Sequence, residues 1–526
     1  MSFRPYAMPG QILLYRAGRL KYDYGQDRAT NADCGNGIHA AFADLASGDL
    51  LLIGPGQYDV VNATITASNV RVLANPEGTI FSREGSSNYT HLLKVTGSNN
   101  IIFGIHCDGL GAANTGTGFG IWSTGTRNQF IHCGALNTRG TVADNGDGSG
   151  IKIDNVSDNV VQEFYGWHND YNSIWAINTN RLAVKGGRIY HAHDRSVGIN
   201  ATTNLDLITI EGLYCYRDYP MSADATGTAG MVSNVDSGKQ ISELVVRNNQ
   251  FIDEDTVSPG ISYDTASVGF GAKVVKLQNC KRLLFDGNQI WHGTENGSYD
   301  VRSFWFESTA GGNQPCESVV FTNNWLADCF QQSLKLPHLI CENNAFGMRQ
   351  LSQDYVWYYL ACEYARFANN HFNMRNGNCF YTDSGMAVTD YYEFENNLFD
   401  CNHAGTSYVF QQNNNFNLTT MAGRFMFDKS NRIINRGAGS AYRSNNVSVN
   451  QVLTTDKNAD LIWDSSNAGA GAGQVPTVTT APYFTGITAP ADDGVRILAK
   501  HWNPAGSGVA AIREFMANGG AWVKYP

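Results

Sequence analysis

Charge is scarce in this sequence: Asp, Glu, Lys and Arg make up 16% of its 526 residues. Acid outweighs base, for a formal net charge of −10, and that argues against a nucleic-acid partner, whose phosphates demand a basic surface. No apolar run reaches the roughly 18 residues of a membrane-spanning helix, so no membrane insertion is expected. None of the eleven cysteines stands in a CxxC, which excludes a zinc knuckle of that spacing. Neither an EF-hand loop nor a Gly-Gly-x-Gly-x-Asp repeat is present to specify calcium. The opening Met1-Ser2-Phe3-Arg4-Pro5 carries no charged-then-apolar signal, and the expectation is a protein made in a cytosol.

What the chain does have is a repeated phrase, apolar–x–apolar–x–Asn–Asn–x–apolar, between Ser242 and Asn397. It reads Leu244–Phe251 and Leu283–Ile290, with Gly287 for the first Asn, and returns at Val319–Leu326, Leu339–Phe346, Ala365–Phe372 and Tyr392–Phe399. The second Asn falls at Asn249, Asn288, Asn324, Asn344, Asn370 and Asn397, giving steps of 39, 36, 20, 26 and 27 residues. Alternation with period two marks a strand with one buried face. The Asn pair marks a turn, because Asn tolerates left-handed dihedrals and bonds its own backbone. One strand and turn cannot bury an apolar face alone, so the repetition predicts stacking into a solenoid of parallel coils.

Upstream the phrasing loosens. Asn100-Ile101-Ile102, Asn128-Gln129-Phe130 and Asn159-Val160-Val161 each begin a strand, and Leu182–Ile189 and Ile208–Cys215 fit the phrase with Gly for Asn. Second strands are marked by Gly120-Ile121-Trp122, Gly150-Ile151-Lys152, Ser173-Ile174-Trp175 and Gly198-Ile199-Asn200. Cys280, Cys316 and Cys362 each precede an anchor Asn by eight residues and are expected as buried thiols, not bridges. A helix is predicted over Gly35–Gly48, with Ile38, Ala41, Phe42 and Leu45 on one face. It follows a Pro/Gly/Tyr-rich leader without periodicity. After about Asn415 the pattern fades. Gly469–Gly473 reads as a flexible linker, and Ile497–Pro526, with Trp502, Phe515 and Trp522, reads as a segment that docks on neighbouring chains.

Equivalent positions on successive coils lie about 4.8 Å apart, so polar residues following the phrase form columns. Rung by rung these are Trp167-His168-Asn169-Asp170, Tyr190-His191-Ala192-His193-Asp194-Arg195, Tyr216-Arg217-Asp218-Tyr219, Asp253-Glu254-Asp255 and Trp291-His292-Gly293-Thr294-Glu295. The longest steps lie in the same region and predict loops that wall a groove. Aromatic rings beside acids suit a sugar, whose ring face stacks while its hydroxyls need polar partners. The candidate catalytic set is Asp194, Asp218, Asp170, Asp253, Asp255, Glu295 and His193. The candidate substrate-binding set is Trp167, His168, Tyr190, His191, Arg195, Tyr216, Arg217, Trp291 and His292. Hydrolysis needs two carboxylates, about 5 Å apart for retention and about 6.5–9.5 Å for inversion. Of the pairs, Asp194 and Asp218 come from adjacent rungs in the richest polar band. A lyase or epimerase would instead need a base at C5 and a cation on a uronate. Calcium on the 253–255 acids is the one cofactor the residues suggest, and no other metal or cofactor is expected. The bland alternatives are turn-forming acids and surface histidines, or a groove that only binds glycan.

The helix, then Leu50–Ile53 and Pro55-Gly56-Gln57-Tyr58, resembles the opening of right-handed β-helix proteins of the pectate-lyase-like superfamily, which includes many phage tailspikes. Asp23-Tyr24-Gly25 stands where that family often has Asp-Phe-Gly-Ala, and His193-Asp194 partly resembles the Asp-Pro-His-Asp motif of mannuronan epimerases, with Ala192 in place of the proline. The resemblance covers roughly residues 23–450 and concerns architecture. It implies an all-β fold, a right-handed single-stranded parallel β-helix. Residues 1–25 would be a leader for attachment, 26–60 a capping helix that hides the first edge strand, 61–450 the β-helix, and 451–526 a linker and oligomerisation region. It further implies a homotrimeric tailspike, joined to phage tail or baseplate proteins. Such a protein is made in the host cytoplasm, carried on the virion tail, and binds and hydrolyses a bacterial surface polysaccharide outside the cell.

Overall fold

The computed structural model describes residues 7–24, 33–82, 89–110, 118–140, 148–192, 195–217, 228–253, 273–292, 302–307, 316–332, 335–348, 355–375, 377–382, 390–403, 406–412, 425–428, 430–436, 440–444, 460–462, 496–502, 509–518 and 521–524. The chain divides into two compact units, Met1–Cys316 and Glu317–Pro526.

In the first unit nine rungs stack in parallel, each contributing to three columns of strands. Column one runs from Leu50–Ile53 to Cys280–Asp286, column two from Gly56–Asp59 to Gln289–His292, and column three from Ala63–Ile65 to Arg302–Glu307. This is the expected right-handed parallel β-helix. The inward row of column one shows why the sequence stacks. Leu51, Val72, Ile102, Phe130, Val161, Val184, Ile210, Val246 and Phe285 follow one another in register, and all are fully buried. Each rung lays an apolar side chain on the one before, so the period-two pattern is satisfied only by repetition.

The repeated phrase spans a corner between two strands rather than one strand and its end. The two residues of the pair have different tasks. The first is left-handed: Asn248 has φ 55° and Gly287 φ 65°. The second is buried and bonds the neighbouring rung, not its own backbone as the turn reading has it. The Asn249 N–H donates to Asn288 Oδ1 at 3.0 Å, and Asn249 Nδ2 donates to the Ile210 carbonyl at 3.0 Å. The same device turns column three into column one upstream. There Asn100, Asn128 and Asn159 accept from Val70, Asn100 and Asn128 N–H at 2.9, 2.9 and 2.7 Å. Their predecessors Asn99, Arg127 and Asp158 carry φ of 59°, 56° and 63°.

Residues 7–24 of the leader hold two strands. Ile12–Arg16 and Arg19–Asp23 form an antiparallel pair, and Ile12–Arg16 also pairs antiparallel with Leu50–Ile53. The first edge strand is therefore covered by a strand. The expected cover was the helix, but a helix bonds its own backbone and offers no partners to an open edge. The helix spans Asp33–Asp44, shorter than predicted at its end, and packs Ile38, Ala41 and Phe42 into the core. Phe42 meets Phe81 at 6.2 Å between ring centroids. It stops early because buried Asp49 folds the chain back, accepting the Ala46 N–H at 2.9 Å while pairing with Arg16 at 2.7 Å. That guanidinium holds the Asp49 carboxyl below the usual carboxylate range.

His91, at the start of a column-three strand, sits with Thr90 Oγ1 2.8 Å from Nδ1 and Thr64 Oγ1 3.4 Å from Nε2. Burial, with Lys94 nearby, pushes its pKa down to about 4 from 6.5. The unfolded chain binds the proton first, so stability is complete above pH 6.5 and falls as pH is lowered towards 4. Urea midpoints taken across that window should fall, and His91→Gln should flatten the His91 share of the slope.

In the second unit five rungs repeat the three columns, from Ser318–Thr322 to Ser440–Ser444. Here the interior is aromatic: Phe367 stacks on Phe394 at 4.8 Å, Phe346 on Phe372 at 5.1 Å and Phe372 on Phe399 at 5.2 Å. The Asn ladder runs Asn324, Asn344, Asn370, Asn397 and on to Asn431, beyond the point where the phrase fades. A separate sheet follows, with Asp460–Ile462 parallel to Arg496–Trp502, then Val509–Asn518 and Ala521–Lys524 antiparallel. Gly469–Gly473 lies outside the described residues. Ten of the eleven cysteines are buried and in no disulfide, Cys280, Cys316 and Cys362 among them. Burial raises the Cys133 and Cys215 thiols to about 12, so they are inert apolar filling.

Candidate functional site

On the outer face of column two, Leu136, Trp167, Tyr190, Tyr216, Ile252 and Trp291 stand in register on consecutive rungs. A second outward row, two residues earlier, holds Tyr165, Arg188 and Tyr214. Their rings touch: Trp167 and Tyr190 at 5.6 Å, Tyr165 and Tyr190 at 6.1 Å, Tyr190 and Tyr214 at 5.8 Å. Tyr165, Arg188 and Tyr214 were not among the sequence candidates. Their signal was the alternation in Phe164-Tyr165-Gly166-Trp167 and Leu213-Tyr214-Cys215-Tyr216, which puts both outer residues on one face.

After Trp167 and Tyr190 the backbone turns left-handed at His168, φ 49°, and His191, φ 53°. Each is anchored to the next rung, His168 N–H to the Tyr190 carbonyl at 3.1 Å and His191 N–H to that of Tyr216 at 2.8 Å. The turn brings the two imidazoles face to face, 4.8 Å between centroids and 20° between planes. Trp167 closes one side, 5.2 Å from His168 and 4.9 Å from His191, and Tyr216 lies 5.8 Å from His191. The sequence-predicted Trp167, His168, Tyr190, His191 and Tyr216 thus form one cluster. It offers flat apolar edges beside ring nitrogens that donate or accept.

Arg217 is elsewhere. No left-handed residue follows Tyr216, the strand continues to Arg217, and alternation turns that side chain inward. There it forms a buried pair with Asp253 of the next rung, Nε to Oδ1 at 3.0 Å and Nη2 to Oδ2 at 2.7 Å. Both carboxylate oxygens are engaged, so a cation on Asp253 would have to displace the guanidinium. Removing one partner of such a pair strands a buried charge, at about 3–5 kcal/mol. Asp253→Ala should lower stability by that amount in urea unfolding, and Arg217→Met with Asp253→Leu should recover most of it. A double variant that is stable yet inactive would return Asp253 to the catalytic set.

Asp170 is half-buried, and its Oδ2 accepts the Gly140 N–H at 3.2 Å. Arg195 opens the column-three strand Arg195–Ala201, is buried, and lies 5.9 Å from the Tyr171 ring. Of His292 the backbone pairs with Asp253. His193, Asp194, Asp218, Asp255 and Glu295 lie outside the described residues, as do the long segments expected to wall a groove. Among the described residues no group of His, Cys, Asp and Glu could hold a metal ion.

No protein-family model matches the sequence, and no curated protein matches it. Solved structures of similar fold include bacteriophage CBA120 tailspike protein 3, 8% identical over 95% of this chain and 67% of that one, TM-score 0.40. The Dettilon tailspike is 12% identical over 93% and 72%, TM-score 0.33. The A-module of Azotobacter vinelandii mannuronan C-5 epimerase AlgE6 is 12% identical over 80% and 99%, TM-score 0.30. At these identities the likeness concerns the fold.

Proposed function

We propose that this chain is a phage tailspike that binds and hydrolyses a bacterial surface polysaccharide. The observation that carries the reading is the row of Trp167, Tyr190 and Tyr216 on consecutive rungs with His168 stacked on His191. Aromatic edges repeating at about 4.8 Å suit successive sugars of a chain, and the imidazoles supply hydroxyl partners. Asp194 and Asp218 follow the in-register Tyr190 and Tyr216 and are the pair assigned to hydrolysis. One protonates the leaving oxygen, and the other attacks the anomeric carbon or activates water. The working form is a homotrimer whose C-terminal region joins the chains and whose N-terminal segment meets tail or baseplate proteins. It is made in the host cytoplasm and acts outside.

A binding-only spike is the second reading. It is favoured by the two described acids of the band, since Asp170 bonds backbone and Asp253 bonds Arg217. Incubation with host surface polysaccharide separates the outcomes. New reducing ends without unsaturated-end absorbance support hydrolysis; both together indicate a lyase. Retention of glycan with neither product supports binding alone, and no retention overturns both readings.

A further inference from the structure

A different face, the outside of column three, carries a second constellation. Thr64, Lys94, Trp122, Lys152, Trp175 and Gly198 follow one another in register, one per rung. Cations and indoles alternate: Lys94 Nζ lies 3.6 Å from the Trp122 ring centre, and Lys152 Nζ lies 5.1 Å from Trp122 and 4.8 Å from Trp175. Cation–π contact explains the stacking but leaves charge and hydrogen bonds incomplete.

Asp154 is bonded to Lys152 at 3.3 Å and is also the carboxylate acting on Lys94. Two ammonium groups therefore share one acid. The buried indole N–H groups of Trp122 and Trp175 have no partner among the described residues. Trp175 is 5% exposed and Asn172, at the head of the same strand, 0%. Both amide atoms of Asn172 also lack partners, as does Asn200 Oδ1. Asn172 lies over Gly198, where an added Cβ would come within 2.7 Å of its Nδ2. The missing side chain at Gly198 thus keeps the amide on this lane, and Asn200 follows two residues on, on the same face. Leaving so many buried polar groups unmade is costly, and what would complete them is specific. The indoles need acceptors, the two amide oxygens need donors, and the second lysine needs an anion. A phosphodiester or an ionised carboxylate group alone supplies acceptors only. A sugar acid supplies hydroxyls that donate and accept, and a carboxylate as well.

We propose that this lane, from Lys94 to Asn172 over Gly198, is a binding site for an acidic saccharide, a uronate-bearing oligomer laid along the rungs. Four rung steps cover about 19 Å at the interstrand spacing, enough for several sugar units. The carboxylate sits between Lys94 and Lys152, and the hydroxyls meet Asn172 and Asn200. The site is separate from the column-two cluster and stands whether or not that cluster cleaves glycan.

The test uses the full chain, with an oligogalacturonate and a neutral malto-oligosaccharide of equal length, followed by tryptophan fluorescence and calorimetry. The oligogalacturonate should bind, the neutral oligomer at least tenfold more weakly, and added salt should weaken the former. Lys94→Gln with Lys152→Gln should reduce binding at least tenfold. Trp122→Phe keeps the ring and removes the N–H, so it should weaken binding even if the double variant folds poorly. Asp154→Asn removes the competing internal carboxylate and should tighten binding, a change of sign that a purely structural ladder would not give. Equal binding of the two oligomers, no binding of the uronate, or uronate affinity unmoved by Lys94→Gln, Trp122→Phe and Asp154→Asn overturns the proposal.

Discussion

Asp194→Asn and Asp218→Asn, made separately, are each expected to slow polysaccharide cleavage by about 10²–10⁴-fold, the usual cost of losing one acid or base. Glycan retention should stay near that of the parent. Asn preserves the shape of the side chain and removes only the ionisable group, so the split between rate and binding is the informative result. The pair follows from rung logic. Tyr190 and Tyr216 are in register, and each acid comes shortly after one of them in sequence. The Arg217 guanidinium bonds Asp253 inside the coil. Arg195 is buried at the start of the next strand and lies 5.9 Å from the Tyr171 ring. Near-parental cleavage in both variants would reject the assignment and move the search to Asp255 and Glu295.

What could be read from the sequence was whatever repeats with the coil. Inward rows such as Val161, Val184 and Ile210 declare themselves by alternation, and Asn100, Asn128 and Asn159 by opening strands. Trp167, Tyr190 and Tyr216 were legible because stacking turns a sequence offset into a spatial row. Breaks in the register were not legible. A left-handed residue follows Trp167 and Tyr190 and throws His168 and His191 outward; none follows Tyr216, and Arg217 goes inward. His enters that conformation more readily than most residues, but an enrichment does not fix which His turns, and a one-residue turn leaves no periodic trace. The leader's strand was missed because Ile12–Arg16 has no repeat to belong to, being defined only by the edge it covers. Trp122, Lys152, Trp175 and Gly198 were visible within strand-forming triplets, yet the alternation of lysine and tryptophan emerges only once rungs of unequal length are aligned and Lys94 joins them.

The same register logic makes the Asn pair a demanding position in the fold, and its two members should respond in opposite ways to alanine and glycine. Asn344 donates from Nδ2 to the Phe321 carbonyl at 2.8 Å and to Asn370 Oδ1 at 3.0 Å. Its Oδ1 receives the Asn324 N–H at 2.8 Å and Asn324 Nδ2 at 3.0 Å. Asn344→Ala would therefore leave several buried donors and acceptors unmade at once, each worth about 1–3 kcal/mol. Shared bonds along the ladder polarise one another, so the loss is not confined to one rung. A fall of about 3–6 kcal/mol is expected on that basis, seen as a large drop in the urea midpoint. Asn343 is exposed, with φ 57°, and contributes conformation. Asn343→Ala should cost only about 1–2 kcal/mol, the left-handed penalty of an ordinary side chain, and Asn343→Gly almost nothing. Asn344→Gly, which satisfies conformation but not hydrogen bonds, should be as damaging as Asn344→Ala or worse. If instead the Asn343 variants lost as much as the Asn344 variants, the ladder would not be what joins the rungs.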